Sequence, residues 1–312
     1  METNLSKYML KNGQIIFKKT EDGRKLRIAI WKANTKRALG TVFFLNGHRE
    51  FIEKYSDTFE FFTKKGFNVI TLDWRGWGLS ERPFPSRPKI QHISSAREYQ
   101  LDLDNIISLA KGKSLTKPWY LVAHSLGCLI GLRRLISEPL CFEKYIFLSP
   151  LWGRFPNVPR SVQRFVIKCE KVLRFLGLIM LTEQSPEKYT PYSLTVDFKK
   201  NTLTSDRKQF KRLQMILRKN KNLHSGTPTL GYFIAIVKEI DLLNLTRIPA
   251  RKMLVLLAGQ EQITDNKAVR QLIERFEFID VVTIKDAQHE ILIEKEKIRH
   301  EALSLMNTFL KS

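Results

Sequence analysis

The chain has 312 residues, of which 43% are apolar, and it carries a formal net charge of +22. This length and composition predict one large folded core with an inserted segment, and they argue against global disorder. The three cysteines, Cys128, Cys141 and Cys169, are sparse and have no CxxC spacing, which argues against a disulfide framework and a zinc site. A reducing, cytoplasmic location is therefore the simplest expectation.

The positive charge predicts an anionic partner, and it is concentrated in one part of the chain. Residues 151–221 hold about 16 Lys and Arg against about 5 Asp and Glu. A merely solvated basic surface remains the alternative. Met1 to Lys19 shows no apolar core of a signal peptide, and no run of about 18 uncharged apolar residues predicts a membrane-spanning helix.

Strands and helices alternate through the first half of the chain. Gln14–Lys18 and Leu26–Trp31 predict an antiparallel pair of strands around a turn at Gly23. The strands predicted next are Thr41–Leu45, Phe67–Leu72, Trp119–Ala123 and Tyr145–Leu148, and the helices between them are Phe51–Lys65, Ala96–Ala110 and Leu126–Ser137. Such alternation predicts a parallel sheet with helices on both faces.

The alternation stops after Pro150, and helical patterns without a convincing strand continue to about Ile248. It returns with Lys252–Leu257 and Phe278–Ile284 as strands and Asp265–Phe276 and Glu290–Leu310 as helices. We therefore predict an α/β fold with a core of residues 1–150 and 248–312 and a helical cap insertion of residues 151–247.

The segment around Ser125 has the pattern of a nucleophile elbow. A buried strand ends at the serine, a helix follows at once, and the small residues Ala123 and Gly127 flank Ser125 two positions away. Small flanks are needed because larger side chains would collide with neighbouring backbone at so sharp a turn. The alternative is that Ser125 serves only as a helix N-cap.

Among six histidines, His289 is the predicted base for this serine. It follows the last strand, and in an open α/β sheet ligands bind beyond the carboxyl ends of the strands, where Ser125 also lies. A loop histidine without a role is the alternative. His124 adjoins the serine in sequence and points the wrong way, and His300 falls on the final helix.

A serine mechanism also needs a carboxylate and an oxyanion hole. Glu261, about two residues past a strand end, is the favoured acid, and Asp265 is its competitor, although Asp265 also looks like a helix N-cap. The backbone N–H groups of Leu126 and His48 are the predicted oxyanion donors. No metal or organic cofactor is needed for this chemistry.

The elbow, the loop Asn46-Gly47-His48, the segment Asp73–Ser80 and Gln288-His289-Glu290 together resemble one family. They are similar to the bacterial lysophospholipase L2 and monoacylglycerol lipase group of α/β-hydrolases, as are Glu50–Tyr55 and Thr227–Gly231. The resemblance implies an α/β-hydrolase fold, a helical cap, Ser125 as nucleophile and His289 as base. It also implies hydrolysis of fatty-acyl esters of single-chain lipids. The family acid, usually Asp, aligns with Glu261.

A basic amphipathic pattern opens the insertion. Arg160, Arg164, Lys168, Lys171 and Arg174 fall on one side of a helical wheel, opposite an apolar arc that runs from Val162 to Leu176. Ile167 and Phe175 break this pattern. Such a helix can lie on an anionic membrane at the inner face, but packing of its apolar side on the core is the favoured interpretation. No recognition motif predicts nucleic-acid binding.

A lipid-ester hydrolase is thus the favoured function. Another carboxylesterase or an aminopeptidase of the same fold, and a catalytically silent, membrane-associated binding protein, remain alternatives.

Overall fold

The computed structural model describes residues 10–155 and 158–312. The N-terminal segment in which no signal peptide is expected lies partly outside these residues. The strands are β1 Gly13–Lys19, β2 Lys25–Trp31, β3 Gly40–Leu45, β4 Phe67–Leu72, β5 Ile90–Gln91, β6 Trp119–His124, β7 Lys144–Leu148, β8 Thr227–Pro228, β9 Met253–Ala258 and β10 Ile279–Ile284.

In the described part of the chain, eight strands form one sheet in the order β1-β2-β4-β3-β6-β7-β9-β10. The predicted hairpin of β1 and β2 is antiparallel, β2 also pairs antiparallel with β4, and all the other pairs of this sheet are parallel. The carboxyl ends of β3, β6, β7, β9 and β10 therefore meet at one edge of the sheet.

Within residues 10–155 and 158–312, ten α-helices follow the sheet strands or fill the insertion. They are α1 Ser56–Lys64, α2 Arg97–Gly112, α3 Leu126–Ser137, α4 Arg160–Lys168, α5 Glu170–Phe175, α6 Tyr192–Thr195, α7 Arg207–Lys219, α8 Leu230–Leu245, α9 Asn266–Ile273 and α10 Glu296–Lys311. A mostly parallel sheet flanked by helices confirms the predicted fold class.

The central strands are buried on both faces of the sheet. Along β3, Phe43 and Leu45 belong to the apolar cluster on the side of α2 and α3, whereas Val42 and Phe44 belong to the cluster on the side of α1 and α10. Successive side chains of a strand point to opposite faces. A continuous apolar run such as β3 can therefore fill both clusters at once.

Two helices begin at least five residues later than the sequence predicts. The helix expected from Phe51 starts as a 3-10 turn at Ile52–Tyr55 before α1 begins. The helix expected from Glu290 begins at Glu296, because Ile291–Ile293 also forms a 3-10 turn. Both differences fall at helix starts, where apolar periodicity says little about the first turn.

The described residues between 151 and 247 are mainly helical, as expected, but they contain the short strand β8. This strand pairs with β5 through Ile90↔Thr227 and Gln91↔Pro228. Two residues are too few to give a strand pattern in the sequence. Within residues 10–155 and 158–312, no helix combines the length and the apolar character that crossing a bilayer requires.

Candidate active site

The chain turns sharply at Ser125, between β6 and α3. Ser125 has φ 50° and ψ −112°, a backbone conformation that residues other than glycine rarely adopt. The Ser125 N–H donates to the carbonyl of Leu148 at 3.0 Å. A Cβ added at Gly127 would lie 2.3 Å from the backbone oxygen of Leu45. The turn therefore requires a glycine at 127, which is the physical content of the elbow pattern.

Ser125, His289 and Glu261 form a chain of hydrogen bonds at the carboxyl ends of the strands. The Oγ of Ser125 is 3.1 Å from Nε2 of His289, and Nδ1 of His289 is 2.8 Å from Oε2 of Glu261. The side chains of His289 and Glu261 are 5% and 1% exposed, so water competes little for these bonds. Ser125 itself is 5% exposed.

The local backbone fixes the carboxylate of Glu261. Its Oε1 accepts from the N–H groups of Ile263 and Thr264 at 2.8 and 3.2 Å, which leaves Oε2 for His289. Burial would raise the pKa of Glu261, but the hydrogen bond and charge of His289 and the two backbone N–H groups outweigh burial and lower it to about 2. Glu261 is therefore ionised at neutral pH.

The competing acid, Asp265, has a different place. Its Oδ1 accepts from the N–H of Ala268 at 3.0 Å, so it caps the N-terminus of α9. Among the described residues, Glu261 is the one whose carboxylate hydrogen-bonds His289.

This geometry selects one tautomer of His289. An ionised carboxylate only accepts hydrogen bonds, so Nδ1 of His289 carries a proton and donates it to Glu261. In the neutral ring, Nε2 then presents its lone pair to the hydroxyl of Ser125. A lone pair at this position can accept the serine proton as the oxygen attacks a substrate.

The predicted oxyanion donors belong to two different parts of the chain. Leu126 is the first residue of α3, and His48 lies in the loop after β3. In the described part of the chain, neither backbone N–H donates to a backbone or side-chain acceptor. Both are therefore available to a ligand. The His48 imidazole is not solvated, since it packs edge-on against Trp77 at 5.0 Å and beside Tyr232 at 5.4 Å.

Residues of the 151–247 segment contact the loops around the triad. Nη2 of Arg49, next to His48, pairs with Glu183 at 3.4 Å, and the Arg49 guanidinium lies 5.3 Å from the ring of Tyr189. The N–H of Glu290, next to His289, donates to the carbonyl of Leu203 at 2.9 Å. This segment therefore contacts both the oxyanion loop and the base loop.

A cluster of buried charged residues adjoins the triad, and no motif in the sequence predicted it. Lys54 Nζ lies 2.7 Å from Oε1 of Glu50 and 2.5 Å from Oε1 of Glu290. Nδ1 of His124 lies 3.0 Å from Oε1 of Glu50. The four side chains are at most 6% exposed. Glu50 and Lys54 fall in the segment that carried the family resemblance, but no spacing pattern linked them to His124 and Glu290.

The helices that open the insertion do not pack as favoured from the sequence. The expected apolar arc lies on two helices, α4 and α5, which meet at Cys169. The buried residue of α4 is the polar Gln163, whereas Phe165 and Phe175 are 67% and 90% exposed. Seven apolar side chains are exposed in residues 160–181, which we call the apolar patch: Val162, Phe165, Val172, Phe175, Leu176, Leu178 and Leu181.

Known proteins resemble this chain along most of its length. Residues 36–296 match the family described as serine aminopeptidase, S33. A probable lysophospholipase L2 of Haemophilus influenzae is 28% identical over 268 residues, which cover 85% of this chain and 82% of that protein. Lysophospholipase L2 of Escherichia coli K12 is 24% identical and covers 84% and 78%.

Solved structures share the fold. A soluble variant of monoglyceride lipase from Saccharomyces cerevisiae superimposes with a TM-score of 0.72 at 17% identity, over 96% of this chain and 95% of that one. A monoacylglycerol lipase of Paleococcus ferrophilus gives a TM-score of 0.70 at 20% identity, over 91% and 98%. With the family match over most of its residues, this chain belongs to the serine aminopeptidase S33 family and is an α/β-hydrolase that resembles the lysophospholipase L2 proteins.

Proposed function

We propose that this protein is a carboxylic-ester hydrolase that cleaves fatty-acyl esters of single-chain lipids through an acyl-enzyme. The observation that carries the proposal is the chain of hydrogen bonds from Ser125 through His289 to Glu261. The names of the related lysophospholipases and of the monoglyceride lipase support the substrate class.

The reaction begins when Oγ of Ser125 attacks the ester carbonyl carbon while its proton passes to Nε2 of His289. Glu261 stabilises the imidazolium that forms, and the N–H groups of His48 and Leu126 donate to the oxyanion. The imidazolium then protonates the leaving alcohol. Water attacks the acyl-enzyme and gives a proton to His289, and His289 passes this proton to Oγ of Ser125 as the fatty acid leaves. These steps use side chains and backbone of the protein alone.

The described residues between 151 and 247 support a cap over a core of residues 1–150 and 248–312. The contact of Arg49 with Glu183 and that of Glu290 with Leu203 join this segment to the loops that carry His48 and His289. A lipid substrate would therefore pass between cap and core. This division gives the inserted segment a role in admitting the acyl chain.

The apolar patch supports contact between the cap and an anionic membrane at the inner face. The five basic residues of α4 and α5 are exposed along the same two helices as Phe165 and Phe175. Exposed aromatic side chains gain free energy on entering the headgroup region, and Lys and Arg are attracted to anionic lipids. A cytoplasmic protein could in this way take its substrate directly from the bilayer surface.

The test is fatty-acid release from lysophosphatidylethanolamine and from monoacylglycerol by the wild type and by Ser125→Ala. Release that the substitution abolishes supports the serine mechanism, and the preferred lipid identifies the substrate. Release should also increase with acyl-chain length, because each buried methylene contributes about 0.8 kcal/mol. A preference for short-chain esters would instead indicate a small-ester carboxylesterase.

Two rival functions are tested by separate assays. Aminopeptidase activity, which the family description names, would appear as cleavage of aminoacyl nitroanilides. A silent binding protein would leave Ser125 unlabelled by a fluorophosphonate.

A further inference from the structure

The ring of His124 lies between two hydrogen-bond acceptors. Nε2 is 3.1 Å from the carbonyl oxygen of His289, and Nδ1 is 3.0 Å from Oε1 of Glu50. A carbonyl and a carboxylate can only accept, so an imidazolium can donate to both of them, whereas a neutral imidazole could donate to only one. The hydroxyl of Tyr55, 3.1 Å from Nδ1, has a separate acceptor in Oε2 of Glu290 at 3.3 Å.

Charge counting leads to the same protonation state. Glu50 and Glu290 bring two negative charges into a space that is almost closed to water, and Lys54 brings one positive charge. An imidazolium at His124 makes the group of four neutral. Unpaired buried charges are costly, so the balanced state is favoured. Burial alone would lower the pKa of His124, but Glu50 and Glu290 outweigh burial and raise it.

A metal ion is not needed to explain the cluster. Glu50, His124 and Glu290 offer ligand atoms within 4.8 Å of one another, a spacing that could hold a metal. The ammonium of Lys54 already lies between the two carboxylates, at 2.7 and 2.5 Å. It supplies the positive charge that a metal would bring.

The cluster contacts both the loop that carries the proposed oxyanion donor and the backbone of the base, His289. Oε2 of Glu50 accepts from the N–H of Gly47, in the loop that carries the proposed oxyanion donor. His124 precedes the nucleophile and holds the backbone of His289, a carbonyl that also accepts from the hydroxyl of Ser149 at 2.8 Å. The packing is tight, since a Cβ on Gly47 would lie 2.8 Å from Nδ1 of His124.

We propose that Glu50, Lys54, His124 and Glu290 form a charge-balanced positioning unit in which His124 is a permanent imidazolium that holds His289 and the oxyanion loop in place. His124 acts through His289 and does not itself touch the substrate. The inference rests on the proposed serine mechanism for its catalytic consequence, but the protonation state of His124 can be measured independently.

The direct test is the ¹⁵N spectrum of histidine-labelled wild-type protein from pH 6 to about 8.5. Resonances are assigned by loss in single substitutions of the six histidines, among them His124→Gln. We expect both nitrogens of His124 to show imidazolium shifts over the whole range. A neutral tautomer at pH 7 would overturn the proposal. This measurement holds even if the protein cleaves no ester and the proposed function fails.

The catalytic consequence is tested with a soluble short-chain nitrophenyl ester. His124→Phe removes both donors, and we expect kcat to fall about 10- to 100-fold with little change in KM, because a misplaced base slows the chemical step. His124→Gln keeps an N–H donor for the His289 carbonyl and should recover part of kcat. Equal losses in the two variants would contradict a positioning role for that hydrogen bond.

Both variants leave the cluster with one net negative charge close to His289, whose ring centroid is 4.9 Å from that of His124. We expect the acidic limb of the kcat/KM profile to move upward by about one to two pH units. Asp102→Asn is the matched control, because it disrupts another buried pair, that with Arg75. It should lower stability and leave this limb in place. An unmoved limb in His124→Gln would refute the charge assignment.

Discussion

Two regions of the molecule, the surroundings of the triad on the one hand and the apolar patch on the other, distribute their side chains in unusual ways. They depart from the usual distribution in opposite directions. Around His289 the protein buries charged groups, and each is paired within about 3 Å. In residues 160–181 it exposes large apolar side chains and buries the polar Gln163. Buried, paired charges hold reacting groups in one geometry, whereas exposed apolar groups gain free energy only on contact with another surface. The region around the triad is therefore suited to catalysis, and the apolar patch is suited to binding another surface.

The largest expected effect falls on the region around the triad alone. Ser125→Ala removes the nucleophile, and we expect hydrolysis of any ester to fall by about 10⁴-fold or more. The matched control is Ser137→Ala, at the end of the same helix, α3, which should retain wild-type rates. Circular dichroism should show both variants folded. Appreciable residual activity in Ser125→Ala would place the nucleophile elsewhere.

The second prediction separates the two candidate acids. Glu261→Gln keeps the shape of the side chain but removes the charge that stabilises the imidazolium, so kcat should fall by about 10²- to 10⁴-fold. Asp265→Asn retains a side-chain oxygen that can cap α9, and its activity should match the wild type. A large loss in Asp265→Asn with a small one in Glu261→Gln would reverse our assignment.

The third prediction concerns the apolar patch. Phe175→Ser should weaken binding to vesicles of anionic phospholipid by about tenfold, because a fully buried Phe side chain contributes about 1.5–3 kcal/mol. Hydrolysis of a soluble ester should be unchanged, which separates this region from the site. Raising the salt concentration should weaken vesicle binding of the wild type and of Phe175→Ser alike, because salt screens the attraction between the basic residues and anionic lipids. If Phe175→Ser bound these vesicles as tightly as the wild type, the apolar patch would have no part in membrane binding.

The smallest effect is a pH dependence of stability. The folded-state pKa of Glu261 is about 2, below its unfolded value of about 4.3. Its contribution to the free energy of unfolding is therefore complete above about pH 4.3. That contribution, at most about 3 kcal/mol, is lost as pH falls toward 2. Denaturant unfolding of wild type and Glu261→Gln between pH 5 and 3 should show a smaller decline in the variant. Parallel declines would contradict the lowered pKa.

Strand alternation was enough to predict the sheet and the meeting of Ser125 with residues after β9 and β10. Parallel strands direct their carboxyl ends to one edge, so residues distant in sequence converge there. The preference for Glu261 over Asp265 came from the recognised N-cap pattern of Asp265, and the observed cap agrees with it.

The two features that the sequence did not reveal depend on tertiary geometry. The wheel of residues 160–176 groups apolar side chains on one side but does not say whether that side meets the core, and Phe165 and Val172 are exposed on α4 and α5. His124 was set aside because it adjoins Ser125 and so cannot be its base. Its partners Glu50 and Glu290 are 74 and 166 residues away along the chain, and no local pattern joins such positions.

The apolar patch also has a consequence for handling the protein. At low ionic strength the net charge of +22 keeps molecules apart despite exposed side chains such as Phe175. Concentrated salt screens that repulsion and strengthens contacts between apolar surfaces. Purified protein should therefore self-associate on salting and remain dispersed in dilute buffer or mild detergent, so assay conditions determine whether single molecules or aggregates meet the lipid.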